Sequence, residues 1–248
     1  MCLILFSYRP DSKRPLVIAA NRDETHARAS RSAHFWDDQP LILAGRDLVA
    51  GGTWIGCNRE GRFAALTNFS GEDDPENPIS RGGLVHNFLA GNLTSIEYAN
   101  SIQKEAYAGF NLLVWDRRDL VYTSNKAKTQ ILGHGNYGLS NAELGASWPK
   151  CIDGRENLAR LVDQGFTNED LVRLLADQKI APDERLPQRD RPIEMERKFA
   201  PCFIKDSHYG TRASTVIILT TTKLQFLEQS YLADGVEATR QTFELDIG

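Results

Sequence analysis

The stretches that decide the fold are residues 1–6, MCLILF, and residues 16–24, LVIAANRDE. Both are apolar runs rich in Leu, Ile and Val, which is typical of β-strands. Residues 9–15 between them, RPDSKRP, carry the proline and aspartate that favour a turn. An antiparallel hairpin returns the polar end of the second run, residues 21–24, toward Cys2. The sequence therefore predicts that a thiol and a polar cluster meet at one end of a sheet.

Length and composition exclude several classes of protein. The chain has 248 residues, of which 41% are hydrophobic and 25% charged, with a net charge of −4. These values are ordinary for a globular chain, and we expect a single domain over residues 1–248. Because no basic face emerges, nucleic acid is not expected as a partner. No run approaches the roughly 18 apolar residues that cross a bilayer, so no transmembrane segment is expected.

The amino-terminal region and the cysteines indicate a location. The apolar residues 3–6 follow no positive region, so we expect no signal peptide. Four cysteines, Cys2, Cys57, Cys151 and Cys202, lie far apart without a CxxC pair. Reduced thiols fit this pattern better than a disulfide framework. We therefore expect a cytoplasmic protein, and self-association stays open.

The order of predicted elements indicates the fold class. Apolar runs predict strands at 2–8, 15–20, 48–56, 62–68, 111–116, 119–124, 137–142, 214–221, 223–229 and 238–246. Helical spacing and end signals predict helices at 81–91, 94–109, 148–165 and 167–177. Residues 71–80 and the charged, proline-spaced residues 182–198 are expected to be loops. Without regular βα alternation, this order favours an α+β fold of antiparallel sheets with helices outside.

Common catalytic and cofactor motifs are absent from the sequence. There is no GxxxxGK[ST] loop and no GxGxxG after a strand. The five histidines have no zinc spacing, and no GxSxG elbow occurs. We therefore expect neither a metal site nor a cofactor, and Cys2 stays as the candidate nucleophile.

Cys2 is suited to nucleophilic chemistry because cysteine is small enough for methionine aminopeptidases to remove Met1 before it. The thiol and a free α-amine would then lie on adjacent carbons, and the amine has an ordinary pKa of about 7.7–8.0. Such an amine accepts the proton of the thiol and returns it to a leaving group. The alternative is a small apolar residue in an edge strand, and the residues alone leave both interpretations open.

Several motifs resemble one family in order and position. They are MCLILF (1–6), AANRDE (19–24), AGGTWIG (50–56), ALTNFSG (65–71), GLSNAEL (138–144) and YGTRASTV (209–216). The set resembles the NRDE-motif family, which includes the transport and Golgi organisation proteins of the TANGO type. That family in turn resembles N-terminal-nucleophile hydrolases of the bile-salt hydrolase and penicillin V acylase branch. The resemblance implies a four-layer αββα sandwich of two antiparallel sheets flanked by helices.

The same resemblance implies a set of site residues. It identifies Cys2 as the nucleophile, Asp23 as the contact of the α-amine, Asn68 and Asn141 as oxyanion donors and Arg212 as a late arginine near the thiol. We also expect the substrate to contact Asn21, Arg22, Glu24 and Trp54. In the hydrolase branch the arginine precedes the asparagine, whereas here Arg22 follows Asn21. Since adjacent strand residues face opposite sides, Arg22 and Asp23 cannot both point at Cys2 without a bulge.

The residues and the family resemblance together suggest two alternative functions. The first is hydrolysis or acyl transfer at a linear amide or thioester through Cys2. The second is a non-catalytic carrier or chaperone that holds haem, acyl-CoA or another amphipathic acid in the same cleft, as the resemblance also implies. Four arginines can pair with the anionic groups of such ligands: Arg22, Arg46, Arg81 and Arg212.

Overall fold

The computed structural model describes residues 2–69, 74–189 and 191–247. Within these residues two antiparallel sheets face each other. The first sheet consists, in spatial order, of β10 (Gly135–Leu139), β1 (Cys2–Tyr8), β2 (Leu16–Thr25), β11 (Tyr209–Leu219), β12 (Lys223–Tyr231) and β13 (Glu237–Asp246). The second consists of β3 (Ser30–Phe35), β4 (Ile42–Asp47), β5 (Ile55–Asn58), β6 (Phe63–Asn68), β7 (Phe110–Trp115), β8 (Leu120–Ser124) and β9 (Gln130–Ile131).

Helices cover the outer face of each sheet. Their bounds are α1 (Gly82–Ala90), α2 (Ser95–Ser101), α3 (Pro149–Gln164), α4 (Asn168–Leu175) and α5 (Ile193–Phe199). Three apolar clusters fill the spaces between the layers: one between the sheets, one under α1 and α2, and one under α3 and α4. The expected αββα sandwich is therefore confirmed. No helix of the described residues is long and apolar enough to span a membrane.

The first strand illustrates how alternation builds these layers. Ile4 and Phe6 of β1 point into the cluster between the sheets, whereas Leu3 and Leu5 point into the cluster under α3. Both faces of the strand are thus buried, which explains its nearly continuous apolar run. Cys2 follows the parity of Ile4, so its side chain belongs to the face between the sheets.

Several predicted boundaries are confirmed. The strand at 2–8 has its predicted bounds, and the helix that begins at Pro149 ends before Gly165, whose φ is 91°. Capping boxes form at both predicted Thr-x-x-acid positions, Thr94 with Glu97 and Thr167 with Asp170. In each box the hydroxyl and the carboxylate satisfy backbone N–H groups that a helix leaves unpaired.

Other predictions were wrong. Residues 48–54 form no strand, because the chain turns after β4, where Asp47 accepts hydrogen bonds from the N–H groups of Val49 and Ala50. The helix predicted over 94–109 ends at Ser101. The expected loop at 182–198 contains α5, which is fastened by the buried Glu196 through its ion pair with Arg189. The acidic loop expected at 71–80 lies partly outside the described residues.

Candidate functional site

A cavity of about 360 Å³ opens where β1 and β2 end. Six of the nine predicted site residues line it: Cys2, Arg22, Asp23, Glu24, Trp54 and Asn68. The hairpin of β1 and β2 brings the first of these together, since Cys2 lies directly opposite Arg22 in the register. Trp54 and Asn68 come from the facing sheet, so the cavity draws on both halves of the sandwich.

The Cys2 thiol is held in a buried position with charges of both signs around it. Burial raises the pKa of the thiol, and the negative charge of Asp23 raises it further. A hydrogen bond from the Asp23 backbone and the positive charge of Arg22 act in the opposite direction. A neighbouring base that takes up the proton would therefore assist ionisation at neutral pH.

Asn141 lies beside the backbone of Cys2, although it is not part of the cavity wall. The backbone nitrogen of Cys2 donates to Asn141 Oδ1 over 3.3 Å, and Asn141 Nδ2 donates to the Asn68 carbonyl over 2.8 Å. Ser140 Oγ donates to the Cys2 carbonyl over 2.7 Å. These three bonds fix the start of β1 against the end of β6 and place Asn141 where it contacts the nitrogen of Cys2.

Asp23 is anchored from the neighbouring strand. Thr211 Oγ1 donates to Asp23 Oδ1 over 2.7 Å, and the Tyr209 hydroxyl donates to the Asp23 carbonyl over 3.0 Å. Burial raises the pKa of the Asp23 carboxyl, while the positive charge of Lys150 and the Thr211 hydroxyl lower it. The carboxylate is thus oriented on the helical side of the first sheet, at the edge of the cavity.

Arg22 and Asp23 both reach the cavity while facing opposite sides of β2, because the cavity lies at the strand end. The Arg22 guanidinium stacks on the Trp54 ring at 4.2 Å from its centroid. Its Nη2 lies 3.9 Å from Asp47 Oδ2, and its Nη1 donates to Ser30 Oγ over 3.5 Å. These are long contacts for a guanidinium, so its charge is only partly compensated by its neighbours.

A bulge near these residues lies in β11 and not in β2. The register moves from Thr211 opposite Asp23 to Ala213 opposite Arg22, which leaves Arg212 as the extra residue. Arg212 does not line the cavity; its Nη1 donates to the carbonyls of Thr25 and Arg28. Its contacts therefore fasten the chain segment after β2 at the rim of the cavity.

Asn21 also lies away from the cavity. Its side chain faces the helical layer, where Nδ2 donates to the carbonyls of Leu175 and Cys202 and Oδ1 accepts from Ser214 Oγ over 2.6 Å. All three partners are part of the fold, so the structure assigns Asn21 a contact between layers and not a contact with a ligand.

Glu24 lines the cavity, and its Oε1 accepts from the backbone N–H of Thr25 over 2.8 Å. Asn68 lines it too, and its side chain makes no hydrogen bond within the described residues. Three further charged residues line the cavity, and the catalytic hypothesis drawn from the sequence did not include them: Arg28, Asp47 and Arg81. Arg28 Nε donates to Asp47 Oδ2 over 2.7 Å, which neutralises that pair.

Arg81 reaches the cavity because two backbones approach closely. A Cβ on Gly52 would lie 2.5 Å from the carbonyl carbon of Gly82, so the start of α1 packs directly on residues 51–53. In the sequence, this contact is marked by two glycine-rich motifs, AGGTWIG at residues 50–56 and RGG at residues 81–83. Within the described residues no group of three or more His, Cys, Asp and Glu is placed to hold a metal ion.

Comparison with known proteins gives the family and the fold. A family model described as "Transport and Golgi organisation 2" matches residues 1–233. The "Transport and Golgi organization protein 2 homolog" of Bos taurus is 35% identical over 266 residues, covering 97% of this chain and 96% of that protein. The human homolog is 34% identical over 246 residues and covers 88% of both chains.

Two solved structures share the architecture. The N-acylethanolamine-hydrolyzing acid amidase ortholog of Caenorhabditis elegans superposes with a TM-score of 0.54 at 11% identity, covering 88% of this chain and 92% of that one. The C2A mutant of the conjugated bile acid hydrolase from Clostridium perfringens gives a TM-score of 0.55 at 10% identity, covering 100% and 92%. At these identities the likeness concerns the fold alone.

Proposed function

Because the chain belongs to the transport and Golgi organisation 2 family and has the fold of N-terminal-nucleophile hydrolases, we propose that it is an amidohydrolase or acyltransferase with Cys2 as nucleophile. The proposal requires removal of Met1, which turns the backbone nitrogen of Cys2 into a free α-amine. The observation that carries it is the position of that nitrogen, 3.3 Å from Asn141 Oδ1 beside a cavity that the thiol lines.

The first half of the reaction is acylation. The α-amine takes the proton of the thiol, and the sulfur attacks the carbonyl carbon of a linear amide or thioester to form a tetrahedral intermediate. The Asn68 side chain and the second N–H of Asn141 Nδ2 are the donors for its oxyanion. Collapse breaks the bond to the leaving amine or thiol, which receives the proton from the α-amine and departs.

The second half releases the acyl group. Water, or an acceptor amine or alcohol in the case of acyl transfer, attacks the thioester on Cys2 and gives its proton to the α-amine. The intermediate collapses and the sulfur leaves, taking that proton back as the thiol. Asp23 orients the α-amine through both steps, since its carboxylate is itself held by Thr211.

Burial and charge explain why the amine is needed. The pKa of the thiol is raised by burial, so few thiolates exist at pH 7 without a base. An α-amine with an ordinary pKa of about 7.7–8.0 is well matched to remove that proton. A retained Met1 would leave an amide nitrogen at this position, which is not basic.

Trapping the acyl-enzyme tests the proposal. The purified protein is incubated with short-chain acyl thioesters and N-acyl amides, and each acyl adduct is located by peptide mass spectrometry. We expect one acyl group on Cys2, none in Cys2→Ala, and an unchanged yield in Cys151→Ala, whose cysteine is buried in α3. Turnover in Cys2→Ala equal to that of the natural chain would overturn the proposal.

The carrier function remains the alternative and draws its support from the arginines in the cavity. It fits an acyl compound with an anionic group better than haem, because no histidine of the described residues lines the cavity. Binding that survives Cys2→Ala, with no acyl transfer in the natural chain, would favour the carrier.

A further inference from the structure

Arg81 is a cation of the cavity with few direct hydrogen-bond partners. Within the described residues its guanidinium makes one hydrogen bond, from Nη1 to the Gly109 carbonyl over 2.9 Å, and it forms no ion pair. Arg28, in contrast, is neutralised by Asp47 at 2.7 Å. The Nε and Nη2 donors of Arg81 therefore have no partner among the described residues.

The position of Arg81 connects this cation to the nucleophile. Arg81 is half-buried and lines the same cavity as Cys2. Burial lowers the pKa of its guanidinium, and the negative charges of Asp74, of a thiolate at Cys2 and of Glu24 act against that. A guanidinium stays charged at all accessible pH values, so the group is a permanent cation facing the site of acylation.

The carboxylates of the cavity are already occupied. Asp47 accepts from Arg28 and from two backbone N–H groups, and Glu24 accepts from the Thr25 backbone. Asp23 accepts from Thr211. None of these three is in hydrogen-bond contact with Arg81, which leaves its free donors for a group that enters from outside.

We propose that Arg81 holds a carboxylate on the substrate and so selects acyl compounds that carry one negative charge. This inference rests on the proposed function of Cys2. A guanidinium with two free donors matches the two oxygens of a carboxylate. A phosphate dianion fits less well, because Asp23, Glu24 and Asp47 line the same cavity and repel a doubly charged group more strongly.

A pair of reagents that differ only in charge tests this inference. Iodoacetate and iodoacetamide both alkylate a thiolate, forming a sulfur–carbon bond and releasing iodide, but only iodoacetate carries a carboxylate. The measured quantity is the ratio of the two rates at Cys2, located by peptide mass spectrometry. A change in the pKa of the thiol affects both reagents equally and cancels in the ratio.

The expected result is a fall of about tenfold in the iodoacetate-to-iodoacetamide ratio in Arg81→Gln, the size expected for one hydrogen-bonded charge pair. Arg81→Lys, which keeps the charge, should retain most of the ratio. Arg9→Gln is the matched control and should leave it unchanged, because Arg9 lies outside the cavity and is paired with Asp163 at 2.6 Å. An equal ratio in the natural chain and in Arg81→Gln overturns the inference.

A protection experiment needs no variant and covers the case in which Arg81→Gln fails to fold. Acetate should slow the alkylation of Cys2 by iodoacetamide in the natural chain, whereas acetamide at the same concentration should not. Equal protection by both, or by neither, overturns the carboxylate subsite while Cys2 keeps its role. If iodoacetamide does not label Cys2 at all, the proposed nucleophile fails and the subsite fails with it.

Discussion

Asn141 holds the backbone nitrogen of Cys2: the nitrogen donates to Asn141 Oδ1 over 3.3 Å, across 139 residues of sequence. The amide nitrogen of the same side chain donates to the Asn68 carbonyl. One buried amide thus joins β1, the end of β6 and the segment after β10. This relationship lets a residue at the start of the chain act in a cavity built from both sheets.

Asn141→Leu should reduce acyl transfer about 10²-fold, because it removes both the contact of the Cys2 nitrogen and an oxyanion donor. Asn141→Asp keeps the acceptor for the Cys2 nitrogen but puts a carboxylate oxygen against the Asn68 carbonyl and the oxyanion, so we expect its activity to fall at least as far as that of Asn141→Leu. Steady-state kinetics with one acyl thioester compares them. Equal activity in Asn141→Leu and the natural chain would contradict this role.

Thr211→Val should move the acid limb of the activity profile to higher pH. The Thr211 hydroxyl lowers the pKa of Asp23, so its loss raises that pKa further. Activity needs both the neutral α-amine and the Asp23 carboxylate, so the acid limb has two components. The component that follows Asp23 is lost as pH falls through the pKa of this carboxyl, which the variant reaches at a higher pH.

The matched control is Thr211→Ser, which keeps the hydroxyl and should keep the profile. Because Thr211 Oγ1 also accepts from the Ile204 N–H over 2.9 Å, Thr211→Val should lower the free energy of unfolding by about 1–3 kcal/mol. An unmoved acid limb in a folded Thr211→Val would separate Asp23 from catalysis.

Glu228→Gln should stabilise the protein at alkaline pH. Burial raises the pKa of the Glu228 carboxyl from its ordinary 4.5 to about 7. Between these values the folded state holds a proton that the unfolded state has lost, so stability falls as pH rises through this window. The total loss is about 3 kcal/mol and is complete above pH 7.

Glutamine removes this loss, because its oxygen can still accept the Ala33 N–H that Glu228 Oε1 accepts over 2.7 Å. Urea unfolding at pH 4 and pH 8 measures the effect: we expect a gain at pH 8 and almost none at pH 4. Glu244→Gln, at an exposed position of β13 paired with Lys223, is the control and should not gain stability at pH 8. A Glu228→Gln variant no more stable than the natural chain at pH 8 would contradict the expected burial cost.

Gly52→Ala should destabilise the fold and disturb the cavity, because the new Cβ would lie 2.5 Å from the Gly82 backbone. Overpacking of this kind costs about 1–3 kcal/mol of unfolding free energy. Gly83→Ala, where a Cβ meets nothing within 4 Å, is the control and should be neutral or stabilising in its helix. Equal urea midpoints for the two variants would show that the close approach of α1 has no energetic consequence.

The sequence predicted the strands that are buried on both faces, because their apolar runs are continuous. β1 and β6 were placed within a residue of their bounds. β3 was missed, since its residues SRSAHF alternate without a strong apolar face and only Ala33 is buried. The apolar residues of 48–54 were misleading, because Leu48 and Val49 are exposed in the turn after β4 and pair with no strand. In the same segment Gly52 packs on α1 and Trp54 lines the cavity.

The candidate site was predictable where residues are close along the hairpin, as with Cys2 and Arg22. The site was harder to predict where the direction of a side chain depends on tertiary structure. Arg212 turns to the rim because it is the extra residue of the bulge in β11, and Asn21 faces the helices because of the parity of β2. The hydrogen-bond donors that Arg81 keeps unpaired among the described residues become visible only when its neighbours in space are known.

The mass of the mature amino terminus, measured on the intact protein before and after exposure to an acyl thioester, decides whether Cys2 is the nucleophile. We predict a chain that begins with Cys2 and gains one acyl group on that residue. A protein that keeps Met1, or one that begins with Cys2 and gains no acyl group with any thioester, would contradict this prediction.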